Sequence, residues 1–155
     1  MNEPYEEIID GETLLRFAPG ARHEEICTRL HARVAACLAN LTSTRRLTPR
    51  GILELRTGTL FRPDLALVTA ATGKLWLAAE IISSDDHHTD TVLKKAIYEE
   101  LNVPRLWMID PRYNNLEVYH ASPYGLRLHG ILAGQEVLHE QLLPGLELCV
   151  AELFG

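Results

Sequence analysis

The sequence predicts an α/β (α+β) fold, a mixed central β-sheet flanked by helices with β-hairpins toward the C-terminal end. Three observations carry this reading. Apolar residues recur at helical spacing up to residue 41, switch to period-two alternation after residue 51, and return to helical spacing after residue 90. Short apolar runs lie between turn-forming Pro, Gly and Asn residues, as buried strands do. A meander of such strands must pair antiparallel, whereas the strand after a crossover helix pairs parallel, so the sheet is mixed.

Residues 1–20 read as an irregular entry ending at Pro19-Gly20. Ala21 to Leu41 follows as a helix. Ile26, Leu30, Val34 or Cys37, Leu38 and Leu41 recur at three- to four-residue steps, and Glu25 and Arg29 form a favourable i,i+4 pair. The polar stretch TSTRRLTPRG, residues 42–51, reads as a loop with three arginines. GILELRTGTLF alternates as a half-buried strand, and Leu65–Val68 and Leu75–Ile82 are buried strands bounded by Pro63 and Thr72-Gly73. Residues 90–101 form a helix with Leu93, Ala96, Ile97 and Leu101 on its apolar side. Arg105–Ile109 is a third buried strand, stopped by Asp110-Pro111. LEVYH then reads as an edge strand, and GLRLHGIL as another after Tyr124-Gly125. No linker or repeat divides the chain, so residues 1–155 are expected to form a single domain.

Composition narrows the function classes. With 46% hydrophobic and 23% charged residues the chain is globular, which excludes disorder. No apolar run approaches the roughly 18 residues of a membrane span. The acidic start MNEPYEEIIDGE is neither a secretory signal nor a transit peptide. Cys27, Cys37 and Cys149 are scattered thiols without a CxxC pair, which argues against a disulfide framework or zinc knuckle and for a cytoplasmic protein. The net charge of −6 excludes nucleic-acid binding by bulk electrostatics. Any such role needs a local basic patch, metal ions at an acidic site, or a partner. Lysine is scarce, only Lys74, Lys94 and Lys95, so the position of each is informative.

Glu80 is the most unusual residue. It is the one charge within LWLAAEII, where an unpaired carboxylate costs several kcal/mol unless it meets a cation or a metal. In a regular strand it shares a face with Trp76, Ala78 and Ile82. Its alternative is a strand-end carboxylate satisfied by Arg62 or Arg105. Asp64 opens the preceding strand. It is either a turn aspartate or the neighbour of Glu80 in a two-carboxylate site for a hard ion, Mg²⁺ or Mn²⁺. Asp90, Lys94 and Tyr98 stack at i, i+4 and i+8 on one helical face, and by spacing alone Asp90 and Lys94 form an exposed ion pair. His23 lies on the apolar face of the first helix, where a buried, satisfied histidine is the ordinary outcome. SSDDHHTD, residues 83–90, reads as a solvated helix-capping loop, and Arg45, Arg46 and Arg50 as solvated loop residues that could touch phosphates.

FRPDLALV, LWLAAEIIS, DTVLKKAIY, LNVPRLWMIDP and LPGLELCVAELF occur in this order across roughly residues 20–155. The arrangement resembles the Uma-type restriction endonuclease domain family, a branch of the PD-(D/E)XK nucleases. That resemblance implies a restriction endonuclease-like core and metal-dependent cleavage of DNA phosphodiester bonds, with Mg²⁺ or Mn²⁺ as cofactor. It makes Asp64 of the Arg62-Pro63-Asp64 motif the first metal ligand and Glu80 the second, with the Ile81 carbonyl assisting. The usual lysine two residues after the acid is replaced by Ile82. The D-x-x-x-K-x-x-x-Y helix supplies Lys94 instead, flanked by Asp90 and Tyr98. His23 matches an early helix histidine, and Arg62 is expected to face substrate. The chain departs from the family in Ser83-Ser84-Asp85-Asp86-His87-His88, which stands where E-V-L-S-P-S-T is common. A homodimer formed through the C-terminal hairpins is also expected, and a nuclease fold that only binds nucleic acid is the alternative.

Overall fold

The computed structural model describes residues 3–83 and 86–155; Ser84 and Asp85 of the expected capping loop lie outside the described residues. The entry expected to be irregular is a β-hairpin, β1 (Tyr5–Ile9) and β2 (Glu12–Arg16). Its cause is the dipeptide Asp10-Gly11, both at positive φ, which forms the tight turn that matches strand twist. Helix α1 (Ala21–Leu38) follows as expected. The arginine-rich loop is partly strand, β3 (Thr44–Arg46). The next segment is a second hairpin, β4 (Leu53–Arg56) and β5 (Thr59–Phe61). The two hairpins join in one sheet of order β2-β1-β5-β4.

The central sheet holds β6 (Leu65–Thr69), β7 (Leu75–Ile81), β8 (Arg105–Asp110), β9 (Asn115–Ser122) and β10 (Gly125–Ala133), in the order β10-β9-β8-β7-β6-β3. β7 and β8 are parallel and the other pairs antiparallel, which is the mixed sheet that the connections require. β9, expected at an edge, is interior, because β10 pairs along its whole length. A two-stranded sheet, β11 (Val137–Glu140) and β12 (Leu143–Cys149), leads to α3 (Val150–Phe154). Among the described residues no helix is long and apolar enough to cross a membrane.

The two faces of the central sheet carry separate cores. On one, Leu65, Leu67, Leu77, Ala79, Ile81 and Trp107 meet Ile26, Leu30 and Val34 of α1 and Leu146 and Leu148 of β12. On the other, Ala66, Val68, Ala78, Ile82, Leu106 and Met108 meet Phe61, Ile97 and Tyr98. A bulge opposite Leu67 and Val68 turns Trp76 to the α1 face, so it does not share a face with Ala78 as a regular strand would have it.

The second crossover helix inverts the amphipathic expectation. Thr89–Lys94 is π-helical and runs into α2 (Lys95–Glu100). Leu93 is 39% exposed and Lys94 only 1%. The polar stripe of this helix faces the protein because polar partners wait there.

Candidate active site

Asp64 ends the approach to β6, and the antiparallel register that pairs Leu65 with Ala79 sets it across from Glu80. Both are 3% exposed. The Ile81 amide donates to Asp64 Oδ2 at 2.8 Å, and Arg50 Nη1 donates to Asp64 Oδ1 at 3.1 Å. His23 Nε2 lies 3.5 Å from Asp64 Oδ2 and 3.2 Å from the Ile81 carbonyl oxygen. The Asp64 carbonyl is held by His31 Nε2 at 2.6 Å, whose Nδ1 faces Arg46 Nη1 at 2.8 Å. The first strand's entry is therefore fixed from α1 and from the 42–51 segment together.

On the other side of β7, Tyr98 donates to Glu80 Oε2 at 2.5 Å and Lys94 Nζ stands 2.7 Å from the same oxygen. Lys94 Nζ also donates to Glu7 Oε2 at 2.8 Å. Glu7 further accepts the Arg62 amide at 2.6 Å and a bond from Arg16 Nη1. Arg16 in turn donates to Asp90 Oδ1 at 2.6 Å and Asp86 Oδ2 at 2.5 Å, and Asp90 Oδ2 takes the Ser83 amide at 3.0 Å. Asp90 and Lys94 are thus buried network members rather than an exposed pair. The N-terminal hairpin reaches across to cover the end of β7.

These surroundings push the two facing carboxyls apart. Burial opposes ionisation of Asp64, but His23, the Ile81 amide and Arg50 overcome it and hold Asp64 below the usual carboxylate range. For Glu80 burial dominates, the charges of Glu7, Asp64 and Asp90 add to it, and the carboxyl is pushed up to about 8 despite Lys94. Lys94 itself is held protonated, its burial outweighed by Glu7 first and Glu80 second. Burial likewise resists Glu7, whose carboxyl Lys94 and Arg16 keep low. The ammonium therefore belongs chiefly to Glu7, which leaves Glu80 the carboxyl that burial keeps protonated. Acids separated in this way are candidates for chemistry, and buried ion-pair networks separate them too.

A cleft of about 430 Å³ leads to this cluster between the β2–α1 strap and the β8–β9 turn. His23 and Arg16 reach its wall, with Tyr5, Phe17, Arg22 and Arg112. His23 Nδ1 is buried and makes no hydrogen bond; its nearest carboxylate oxygen is Glu24 Oε1, 3.7 Å away. Burial lowers the His23 pKa, but the bond to Asp64 outweighs it and raises the imidazole above its ordinary value. The oxygens that would hold a cation are those of Asp64, Glu80 and the Ile81 carbonyl, each group already carrying a hydrogen bond from the protein. Among the described residues no three His, Cys, Asp or Glu side chains converge as a metal-ligand group.

Of the sequence-derived candidates, Asp64, Glu80, Ile81, Lys94, Tyr98, Asp90 and His23 come together. The side chain of Arg62 does not join them; it lines a small cleft with Glu6, Ile8, Ile52 and Leu60, and only its amide reaches Glu7. Arg105 is no partner of Glu80 either, being bound to Glu140 at 2.7 Å. His87 and His88 are exposed, but they begin the crossover helix, and Thr89 and Asp90 are buried, so the second half of the expected solvated loop is helix. Sequence reasoning missed Glu7, Arg16, His31 and Arg50. The Asp10-Gly11 turn signal identifies the hairpin that carries the first two; Arg50, read as solvated, has a side chain 14% exposed against Asp64.

The family described as "Uma2: Putative restriction endonuclease" matches residues 2–151. Among solved structures, the chain is similar to "a putative nuclease belonging to DUF820" from Anabaena variabilis ATCC 29413. The two share 18% identity over 98% of this chain and 90% of that one, with a TM-score of 0.76, a likeness of fold. No curated protein matches the chain.

Proposed function

The chain belongs to the Uma2 family, and from that membership we propose that it is a metal-dependent nuclease hydrolysing DNA phosphodiester bonds, acting as one domain over residues 1–155. The observation that carries this reading is the β6–β7 register that sets Asp64 across from Glu80, with His23, which lines the cleft, against both Asp64 and the Ile81 carbonyl. Two carboxylates and a carbonyl form an oxygen-only donor set, which suits Mg²⁺ or Mn²⁺, and Mg²⁺ commonly takes only one or two carboxylates and keeps water on its remaining positions. Bound there, such an ion supplies Lewis acidity and a lowered pKa for water.

The chain's own residues divide the remaining work. His23 donates through Nε2 to the Ile81 carbonyl and lies 3.5 Å from Asp64 Oδ2, so it orients both groups from α1. Lys94 neutralises Glu7 and stands against Glu80 from within the protein, so it acts through those carboxyls. Tyr98 fixes the Glu80 carboxyl. Arg50 and His31 hold Asp64 in place from both its side chain and its carbonyl.

The proposal includes a homodimer, supported by the exposed Leu128 and Ile131 on the outer strand β10 and Val137 on β11, and a cytoplasmic setting, supported by three free cysteines. One observation favours a second reading, a nuclease fold that binds DNA without cutting it: the acids already hold cations from the protein itself, Lys94, Arg16 and Arg50. Cleavage of supercoiled plasmid in Mg²⁺ or Mn²⁺ decides between them, with wild type and Glu80→Ala purified identically. Nicking by wild type and loss of at least 100-fold in Glu80→Ala is expected, on the scale of about 3 kcal/mol of transition-state stabilisation. Equal activity in both samples sinks the assignment of Glu80, and inactivity of both moves the protein to the binding reading.

A further inference from the structure

The acids of the proposed site lie below the surface, and that depth bears on the form of DNA that can reach them. Asp64 and Glu80 are each 3% exposed, and the His23 side chain 13%. The adjoining cleft, walled by His23 and Arg16, measures about 430 Å³, within the roughly 300–1,000 Å³ of pockets that enclose a single small ligand. A stiff duplex presents its phosphates on the outside of a rod and offers nothing narrow enough to descend such a cleft.

The cleft walls are suited to a nucleotide freed from its stack. Phe17, on the strap after β2, is 62% exposed and makes no ring contact among the described residues. An aromatic face left open beside a polar site is what an unpaired base stacks on. The lining carries three guanidiniums, Arg16, Arg22 and Arg112, against one carboxylate, Asp86. Arg16 is consumed by Glu7, Asp86 and Asp90, and Arg112 is held by Asp110 at 2.9 Å. Arg22 is exposed, and its contacts are the neutral Asn114 amide oxygen at 2.5 Å and the Phe154 ring at 5.9 Å. It therefore brings uncompensated positive charge to the cleft of an otherwise acidic protein.

We infer that this cleft receives one unpaired nucleotide of a DNA strand, its base stacked on Phe17 and its phosphate met by Arg22 beside His23. The inference rests on the nuclease reading and narrows its substrate to single-stranded or locally opened DNA. Phe17 and Arg22 are both exposed, so their variants retain the fold.

The test is fluorescence anisotropy of a labelled oligodeoxynucleotide, single-stranded and annealed to its complement, in EDTA so that nothing is cut. The single strand should bind at least about ten-fold tighter than the duplex, and Phe17→Ala should erase about that factor while Phe17→Trp keeps it, in line with stacking on one base. Arg22→Ala should flatten the dependence of log affinity on log salt by about 0.7. Equal or tighter duplex binding, or a Phe17→Ala variant that binds the single strand like wild type, overturns the inference. If in that case plasmid nicking still depends on Glu80, the nuclease reading stands without it. If neither oligonucleotide is bound and no DNA is cut, both fall.

Discussion

On the α1 face of the central sheet, leucines, isoleucines and Trp107 meet the apolar stripe of α1. On the opposite face, one strand position away, Glu80 meets Lys94 and Tyr98, and behind them Glu7, Arg16 and Asp90. Both regions are equally hidden from water, yet they hold together for different reasons. The first gains from every methylene removed from solvent, in proportion to area. The second consists of charges whose desolvation roughly cancels their attraction, so intact it adds little and damaged it costs much. The polar face thus sacrifices stability for a preset arrangement of acids, as sites of chemistry do.

Single truncations on each face should expose this contrast. Lys94→Ala leaves Glu7 buried beside Glu80 without its cation and should cost about 3–5 kcal/mol. Leu30→Ala, fully buried in α1, should cost about 2–5 kcal/mol through lost transfer energy and a cavity. Urea denaturation gives both values. The faces then part on rescue. Converting Glu7 to Gln in the Lys94→Met background should recover most of the loss, because the uncompensated charge goes with its partner. No second substitution of that kind refills the Leu30 cavity. A Lys94→Ala protein as stable as wild type would mean that the network is loosely hydrated and not a buried ion cluster.

Acidity offers a gentler probe of the same contrast. Glu80 is held protonated up to about 8, above its ordinary 4.5. Below pH 4.5 it is protonated folded or unfolded, and its contribution is complete. As pH rises toward 8 the unfolded chain ionises freely while the folded one cannot, so this contribution to stability is lost across that window. Glu80→Gln, which cannot ionise, should therefore gain on wild type between pH 5 and pH 8 in thermal melts. Asp64, held below its ordinary 3.8, has the opposite sign: its contribution is present above that value and lost as pH falls. The offset caused by Leu30→Ala should not change over pH 5–8. A Glu80→Gln offset equally flat would show that Lys94 keeps Glu80 ionised throughout.

The two faces also differ in how far the sequence reveals them. The α1 face was legible because its contacts repeat with a period: Ile26, Leu30 and Val34 against strands that alternate. Asp64, Glu80 and Lys94 were legible as a set from motif order, although spacing alone placed Lys94 and Asp90 in solvent. The rest of the polar face was hidden by distance along the chain. Glu7 meets Lys94 from 87 residues away, and Arg16 meets Asp90 from 74. No local pattern encodes such pairs. The burial of Lys94 in place of Leu93 has the same origin, since a helix turns its polar stripe inward only when partners from another segment are present. Arg50 was misread for a related reason: a polar loop looks solvated until a strand entry such as Asp64 is brought beneath it.

The smallest expected effect lies where the dry face touches water. Arg33 of α1 pairs with Glu152 of α3 over the apolar core, both side chains about half exposed, at 49% and 48%. Its chemistry repeats that of the buried network, a cation against a carboxylate joining distant segments, here 119 residues apart. Only the solvent differs. Water already satisfies both groups, and salt screens their attraction, so Arg33→Ala should cost about 0.2–1 kcal/mol, fading at high salt. The loss from Lys94→Ala should persist at the same salt concentration, because a buried pair is screened far less. Urea melts of both variants at low and high salt separate the cases. A cost for Arg33→Ala approaching that of Lys94→Ala would show that the α1–α3 contact depends on this pair instead of on Leu153 packed beneath it.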